Sequence, residues 1–360
     1  MKCLKYLTCC LIISAITNTK SNILSEKMII CSPVANLRGA PKNIYNFTLP
    51  ASSKTNPFQT TQLLFNDYVI AQQKFINQQN KTWYLVEALQ QSNKNKNGSW
   101  SGLMGWIEGS DLQKVECFIE HNLVITSLFA DIYNQENKKI NTLFMGTSLT
   151  GKFDTEKNMC QIEMPDRSYG WIKASDVMPI SKDNVPLKPK LRTNITETAK
   201  MFLGNLYSWG GRTPQTALIN ISSVDCSGLI NLVFASQGLS IPRNSVSQYF
   251  KANDIKHGKN LQPGDLIFFG SDKHTINHVL LYIGNGEIIE SSLTAGKVIQ
   301  SLFKQRIGFD HTTMKSGDSS GPIKNLDSKN PTFFKVYFAS FLSNNRLIDK
   351  LRLEFLQHHY

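Results

Sequence analysis

Val224-Asp225-Cys226-Ser227-Gly228-Leu229-Ile230-Asn231-Leu232-Val233 is the stretch from which the rest of the chain can be read. Its apolar residues Leu229, Ile230, Leu232 and Val233 recur at helical spacing, and they predict a helix from Ser227 to Ser236 that ends at Gly238. Cys226 then falls at the first turn. Unpaired backbone amides and the positive end of the helix dipole favour a thiolate there, the form of sulfur that attacks carbonyl carbon. A buried, inert cysteine is the other reading of the same residue, because free cysteines are among the most often buried side chains.

Downstream of this helix the pattern changes to strands, at Asp265–Phe269, His278–Ile283 and Glu287–Ser291. Upstream, Thr196 to Leu206 can form another helix. Helices first and an antiparallel sheet after them is an α+β order. His278 opens its strand, which closes on the hairpin Gly284-Asn285-Gly286, so a strand end mounts the imidazole rigidly. An imidazole held against a thiol can take its proton and later protonate a leaving amine. His274 is the near rival, and no strand follows it directly. Glu290 lies across the same hairpin, where paired strands would bring its carboxylate beside the ring and fix its orientation. A solvated glutamate is the alternative.

The amino-terminal half reads differently. Short β-rich pieces at Met28–Cys31, Gln62–Phe65, Tyr68–Ala71, Trp83–Val86 and Gly105–Ile107 imply a small barrel over residues 28–114, with Gln91 to Trp100 as an exposed hairpin loop. A second unit of the same style covers residues 115–180. Both units finish on a Gly-Trp-Ile segment, Gly105-Trp106-Ile107 and Gly170-Trp171-Ile172, followed shortly by an acidic residue and a hydrophobe, which argues for an internal repeat. The proline- and lysine-bearing stretch 181–194 reads as a linker to a third unit, 195–345, and 346–360 as a weakly helical tail.

Met1, Lys2 and Lys5 precede the apolar run Tyr6 to Ile16, a secretory signal pattern with cleavage near Thr17; the run is shorter than the roughly 20 residues of a spanning helix. A lipid anchor is the lesser alternative, since Cys10 lies too early in the run. Beyond residues 1–17 the cysteines are Cys31, Cys117, Cys160 and Cys226. Export to an oxidising compartment allows one disulfide among the first three, and their spacing matches no zinc pattern. No cofactor is expected. The chain of 360 residues carries 39 Lys+Arg against 27 Asp+Glu, a net charge of +12, which suits an anionic polymer. Its basic residues are dispersed rather than clustered, which argues against a nucleic-acid arm.

Five blocks then occur in the order found in the NlpC-type peptidases of bacterial cell walls: Tyr207-x-Trp209-Gly210-Gly211, Asp225-Cys226-Ser227-Gly228, Ile241-Pro242-Arg243, Pro263-Gly264-Asp265-Leu266-Ile267-Phe268-Phe269 and His278-Val279. The resemblance is strong over about Thr196 to Ser301. More weakly it extends to the amino-terminal units, which are similar to bacterial SH3-like domains; Ser32-Pro33-Val34-Ala35-Asn36-Leu37-Arg38 resembles the opening of the first such domain in multi-domain wall peptidases. The architecture it implies is two small SH3-like β-barrels followed by a papain-like α+β catalytic domain. It resembles that of the endopeptidases that cut the γ-D-glutamyl–diamino acid bond of wall peptides.

Carried over block by block, the resemblance implies Cys226 as nucleophile, His278 as base and Glu290 as the third, orienting member, a place where relatives often have His, Asn or Gln. It further implies that Asp225 and Ser227 hold the substrate, Asp225 by meeting a free amino terminus; a helix-capping role is the other reading of Asp225. Tyr207, Trp209, Arg243, Asn244 and Ser245 match positions that line the family groove, although Trp209 and Arg243 also read as packing residues. In relatives the first barrel adds an acidic and a tyrosine side chain near the substrate amine. Phe58 and Leu103 stand near those places here, which brings the need for a free amino-terminal L-Ala into question.

These readings together imply a secreted or periplasmic cysteine peptidase that hydrolyses murein peptides through an acyl-thioester, a monomer with no stable membrane insertion and no nucleic-acid partner. A catalytically idle wall-binding protein is the alternative from another class. An amidase or acyltransferase with the same cysteine chemistry is a third.

Overall fold

The computed structural model describes residues 24–42, 59–182, 187–217, 222–323 and 332–357. Five α-helices are defined there: α1 (Lys188–Lys200), α2 (Cys226–Ala235), α3 (Ser245–Lys251), α4 (Phe303–Ile307) and α5 (Asn345–Gln357). The segment 1–17, read as a signal peptide, and Phe58 lie outside the described residues.

Helix α2 is apolar nearly all round and every one of its residues is buried, as such a composition requires. Leu229, Ile230, Leu232, Val233 and Phe234 form one cluster with Phe268, Val279, Leu281 and Ile289 from the sheet, and with Ile348 and Leu351 of α5. Each fully buried side chain of this size contributes roughly 1.5–3 kcal/mol. The antiparallel sheet behind the helix runs, edge to edge, Asn253–Ile255, Lys335–Ser340, Leu266–Gly270, Ile276–Gly284, Glu287–Ser292, Lys297–Leu302. Its late strand inserts beside Leu266–Gly270.

Gly228 sets how closely α2 approaches its surroundings. A Cβ built there would lie 2.2 Å from the Gly211 carbonyl oxygen, a backbone atom that cannot swing away. In an exposed helix, alanine would stabilise over glycine by about 1 kcal/mol; here overpacking wins. Gly228→Ala is expected to destabilise the chain by about 1–3 kcal/mol, read as a lowered denaturant midpoint with unchanged slope. An unchanged or raised midpoint would contradict this packing.

The amino-terminal units are β-structured. The first is a sheet of seven strands in the order Gln59–Leu64, Val34–Arg38, Trp100–Glu108, Thr82–Lys94, Tyr68–Ile76, Glu26–Ile30, Leu112–Lys114; its outermost strands do not pair with each other, so the sheet is not closed. The second consists of a five-stranded and a three-stranded sheet, also open. The expected closed barrels are therefore not seen as such.

The internal repeat has a structural counterpart. The strands Trp100–Glu108 and Tyr169–Lys173, which carry the two Gly-Trp-Ile segments, are each followed by a single 3-10 turn and a short strand. Each strand pairs along its length with the strand before it, and in each the tryptophan sits at the one register point that joins it to a more distant strand, Trp106 opposite Arg38 and Trp171 opposite Tyr133. In each, too, a glycine lets a neighbouring aliphatic side chain lie over the strand: a Cβ on Gly105 would be 2.6 Å from Leu37, and one on Gly170 would be 2.7 Å from Ile132.

Four expectations shift. Helix α1 spans Lys188–Lys200 rather than Thr196–Leu206, because Pro189 falls in its first turn, where a missing N–H costs nothing; much of the expected linker is therefore helical. Half of Gln91 to Trp100 belongs to strands, leaving 95–99 as the turn, and the hairpin packs on α3 through the Lys94 amide, 3.0 Å from Ser247 Oγ. The tail is an ordered helix whose Ile348, Leu351, Phe355 and Leu356 are buried. Cys31, Cys117, Cys160 and Cys226 are all free thiols, with no disulfide among the described residues.

Candidate active site

Cys226 occupies the first position of α2, and Asp225 caps it, accepting the Gly228 amide at 2.6 Å. The helix start leaves its first amides without intrahelical acceptors beside the sulfur. Ser291 fixes the approach to this turn from the sheet side, its hydroxyl donating to the Val224 carbonyl at 2.7 Å.

His278 stands on Ile276–Gly284 with its Nε2 2.5 Å from Glu290 Oε2, and its ring lies close enough to Cys226 for the sulfur to raise it. With Nε2 committed to the carboxylate, Nδ1 is the nitrogen left for the sulfur. The register Leu281 opposite Ile289 sets Glu290 diagonally across from His278 on the same face, as the hairpin suggested. Phe269 backs the ring, the two ring centroids 5.8 Å apart.

Burial alone would push the His278 ring down. The charge on the Cys226 sulfur and the hydrogen bond to it, then the hydrogen bond and charge of Glu290, outweigh burial and raise the ring to about 9. For the Glu290 carboxyl, burial works upward; the hydrogen bond and charge of His278, with Arg306 adding to both, bring it down to about 2. The ring is therefore held protonated through neutral pH, between the sulfur and an ionised carboxylate. The Tyr207 phenol is pushed up, by burial first and then by the nearby Cys226 and Asp225 charges, so its O–H stays protonated close to the sulfur.

The other expected residues divide by accessibility. Trp209 is 46% exposed, and Tyr207 and Asn244 are half-buried. Asp225, Ser227, Arg243 and Ser245 are buried. Arg243 clamps both carboxylate oxygens of Asp225, at 3.0 and 2.7 Å, and also reaches Ser227 Oγ, the Gly211 carbonyl and Thr61 Oγ1. It is buried, which fits the packing reading of this residue. Asp225 further accepts from the Gly210 and Gly228 amides and the Ser227 hydroxyl. Two carboxylate oxygens offer about four lone-pair sites, so this one is saturated, and its capping reading is the one the geometry carries. Leu103 belongs to the core of the first β unit.

The first β unit is part of this site's support. Arg212 hydrogen-bonds Gln62 through its backbone and Asp67 through its guanidinium, at 2.9 and 3.3 Å, and its Nε reaches Asn231 on α2 at 2.6 Å. Among the described residues no group of His, Cys, Asp and Glu has the arrangement of a metal site. Sequence reasoning missed Arg306, Ser291, Arg212 and Thr61. None stands in a recognisable spacing with Cys226, and only folding brings them together.

A sulfur at a helix start, faced by an imidazole on an antiparallel strand with a carboxylate behind it, defines a cysteine–histidine site on an α+β domain. The chain carries an NlpC/P60 domain: residues 204–316 match the model of the NlpC/P60 family. Over 206 residues it is 30% identical to the "Gamma-D-glutamyl-L-lysine dipeptidyl-peptidase" of Bacillus subtilis, covering 56% of this chain and 64% of that protein. Over 93 residues it is 42% identical to the "Probable endopeptidase p60" of Listeria innocua, covering 26% of this chain and 18% of that protein. The chain thus spans only part of these relatives' lengths. An NlpC/P60 family protein from Bacillus cereus shares the fold, with a TM-score of 0.63 at 23% identity over 80% of this chain and 98% of that one. Among the described residues no helix is long and apolar enough to cross a membrane.

Proposed function

We propose that this chain is a cysteine peptidase of the bacterial cell wall that hydrolyses the γ-D-glutamyl–diamino acid bond of murein peptides. The observation that carries the reading is His278 held between the Cys226 sulfur and buried Glu290. In the first step the thiolate attacks the γ-carbonyl carbon, and the imidazolium gives its proton to the departing amine, leaving a thioester on Cys226. In the second, the neutral imidazole takes a proton from water, the hydroxide attacks the thioester, and the acid leaves with the thiolate–imidazolium pair restored. The Tyr207 hydroxyl and the first amides of α2 supply hydrogen bonds for the tetrahedral oxyanion. Similarity to the Bacillus subtilis dipeptidyl-peptidase supports this choice of bond.

The two β units are read as SH3-like modules that hold the enzyme on murein, aided by the +12 net charge. The apolar run after Lys5 supports export to the envelope, and the enzyme is read as a monomer. Recognition of a free substrate amine is expected to be weak, since Asp225 is saturated and Leu103 is core.

The test is to incubate the purified protein with L-Ala–γ-D-Glu–L-Lys peptides, free and acetylated at the amino terminus, and to identify fragments by mass. Cleavage of both after D-Glu, absent in Cys226→Ala, is the expected result. Intact peptides overturn the reading, and cleavage of the free form alone overturns the weak-amine expectation.

A further inference from the structure

Glu290 is fully buried, and a buried carboxylate needs a cation or a dense set of donors. Its Oε2 faces His278, and Arg306 forks onto both oxygens, with Nε 2.5 Å from Oε1 and Nη2 3.3 Å from Oε2. Arg306 comes from α4, a short helix pinned by the buried side chains of Phe303 and Ile307 and by the Phe303 amide on the Gly286 carbonyl at the hairpin tip. Its guanidinium lies over the Phe269 ring, 5.5 Å from the centroid, and that same ring backs His278. One aromatic ring and one carboxylate therefore tie Arg306 and His278 into a single unit.

The charge count points the same way. When the reacting pair is a thiolate and an imidazolium, these two and the carboxylate together carry one net negative charge, and the Arg306 guanidinium brings the sum to zero. We propose that Arg306 is the positioning residue of this site: by holding both oxygens of Glu290 it fixes the carboxylate that aims the His278 ring at Cys226, and it neutralises the charge that Glu290 adds. The inference rests on the reading of Cys226 and His278 as the reacting pair. A planar fork suits this task better than an ammonium, because two parallel N–H donors set the plane of the carboxylate. A neutral amide in place of the Glu290 carboxylate would need no such counter-charge, so Arg306 should matter only while Glu290 is ionised.

Four variants test this: Arg306→Gln, Arg306→Lys, Glu290→Gln and the double Glu290→Gln/Arg306→Gln. Each is checked for folding by circular dichroism and measured for kcat and KM on L-Ala–γ-D-Glu–L-Lys and for the pH dependence of Cys226 alkylation by iodoacetamide. Arg306→Gln is expected to lower kcat about 10- to 100-fold, as loss of an orienting partner behind a reacting group does, with KM nearly unchanged. Its alkaline limb should move to higher pH, because a cation that opposed the imidazolium is gone. Arg306→Lys should restore the limb but only part of kcat. When Glu290→Gln is already present, adding Arg306→Gln should change kcat little.

Arg306 also lines an open cleft of about 370 Å³ with Ser292, Thr294 and Gln305. An effect confined to KM would make it a substrate-contacting residue of that cleft and overturn the proposal. Equal losses from Arg306→Gln with and without the Glu290→Gln change would overturn it too, as would wild-type kinetics in Arg306→Gln. Should the wild-type chain leave the peptide intact and Cys226 alkylate as an isolated thiol, the reading of the reacting pair fails, and the proposal with it.

Discussion

His278→Ala is expected to lower kcat/KM by roughly 10⁴-fold, the upper end of what one positioned acid–base group contributes. Alkylation of Cys226 should change as well. In the wild type, the ring held up at about 9 keeps an imidazolium beside the sulfur through neutral pH, so labelling by iodoacetamide should be fast and nearly independent of pH between about 6 and 8. In the variant, labelling should rise with pH as a free thiol's does, around pH 8.5.

Stability should follow the same groups. The ring's folded value of about 9 lies above its ordinary 6.5, so its interactions stabilise fully below 6.5, and that contribution is lost as pH rises through about 9. Glu290 has the opposite sign: held at about 2 against an ordinary 4.5, it stabilises above 4.5 and loses this as pH falls through about 2. From these two groups, maximal stability falls between about 4.5 and 6.5, and His278→Ala should flatten the alkaline side. Wild-type labelling that already follows an ordinary thiol curve would refute the ion pair.

Arg243→Met is expected to cost about 3–5 kcal/mol, the penalty of leaving one partner of a buried ion pair uncompensated. The pair is 1% and 10% exposed at the two side chains, and Arg243 also spans to Thr61 of the first β unit. Surface pairs such as Lys200–Glu197, by contrast, are worth about 0–1 kcal/mol. Chemical denaturation measures the loss. The double variant Asp225→Asn/Arg243→Met should recover part of it, because the buried charge is then removed with its partner. Activity of Arg243→Met should fall even where folding holds, since Asp225 sets the start of α2 and hence the place of the sulfur. A midpoint within about 0.5 kcal/mol of wild type would show that the clamp carries no weight.

The chemistry-bearing segments were readable because each is local. A helix start before Leu229, a strand after His278 and a two-residue hairpin that carries Glu290 back across its neighbour depend on spacing and turn residues within a few positions. The start of α1 was misread because prolines signal both linkers and first turns, and nothing nearby separates the two. The tail around Arg352 looked weakly helical because what holds it is burial of Ile348 and Leu351 against residues more than a hundred positions earlier. The free state of Cys31 and Cys117 likewise depends on where distant strands place them.

Periodicity, caps and motif order fixed which residues carry the chemistry, since propensity and hydrogen-bond geometry act over one or two turns of chain. Tertiary packing alone settled that Arg243 is spent on Asp225, that Arg306 backs Glu290, and that the first β unit reaches the site through Thr61, Gln62 and Asp67. Buried charges must find partners wherever the fold supplies them, and such partners lie at sequence separations that no local pattern encodes.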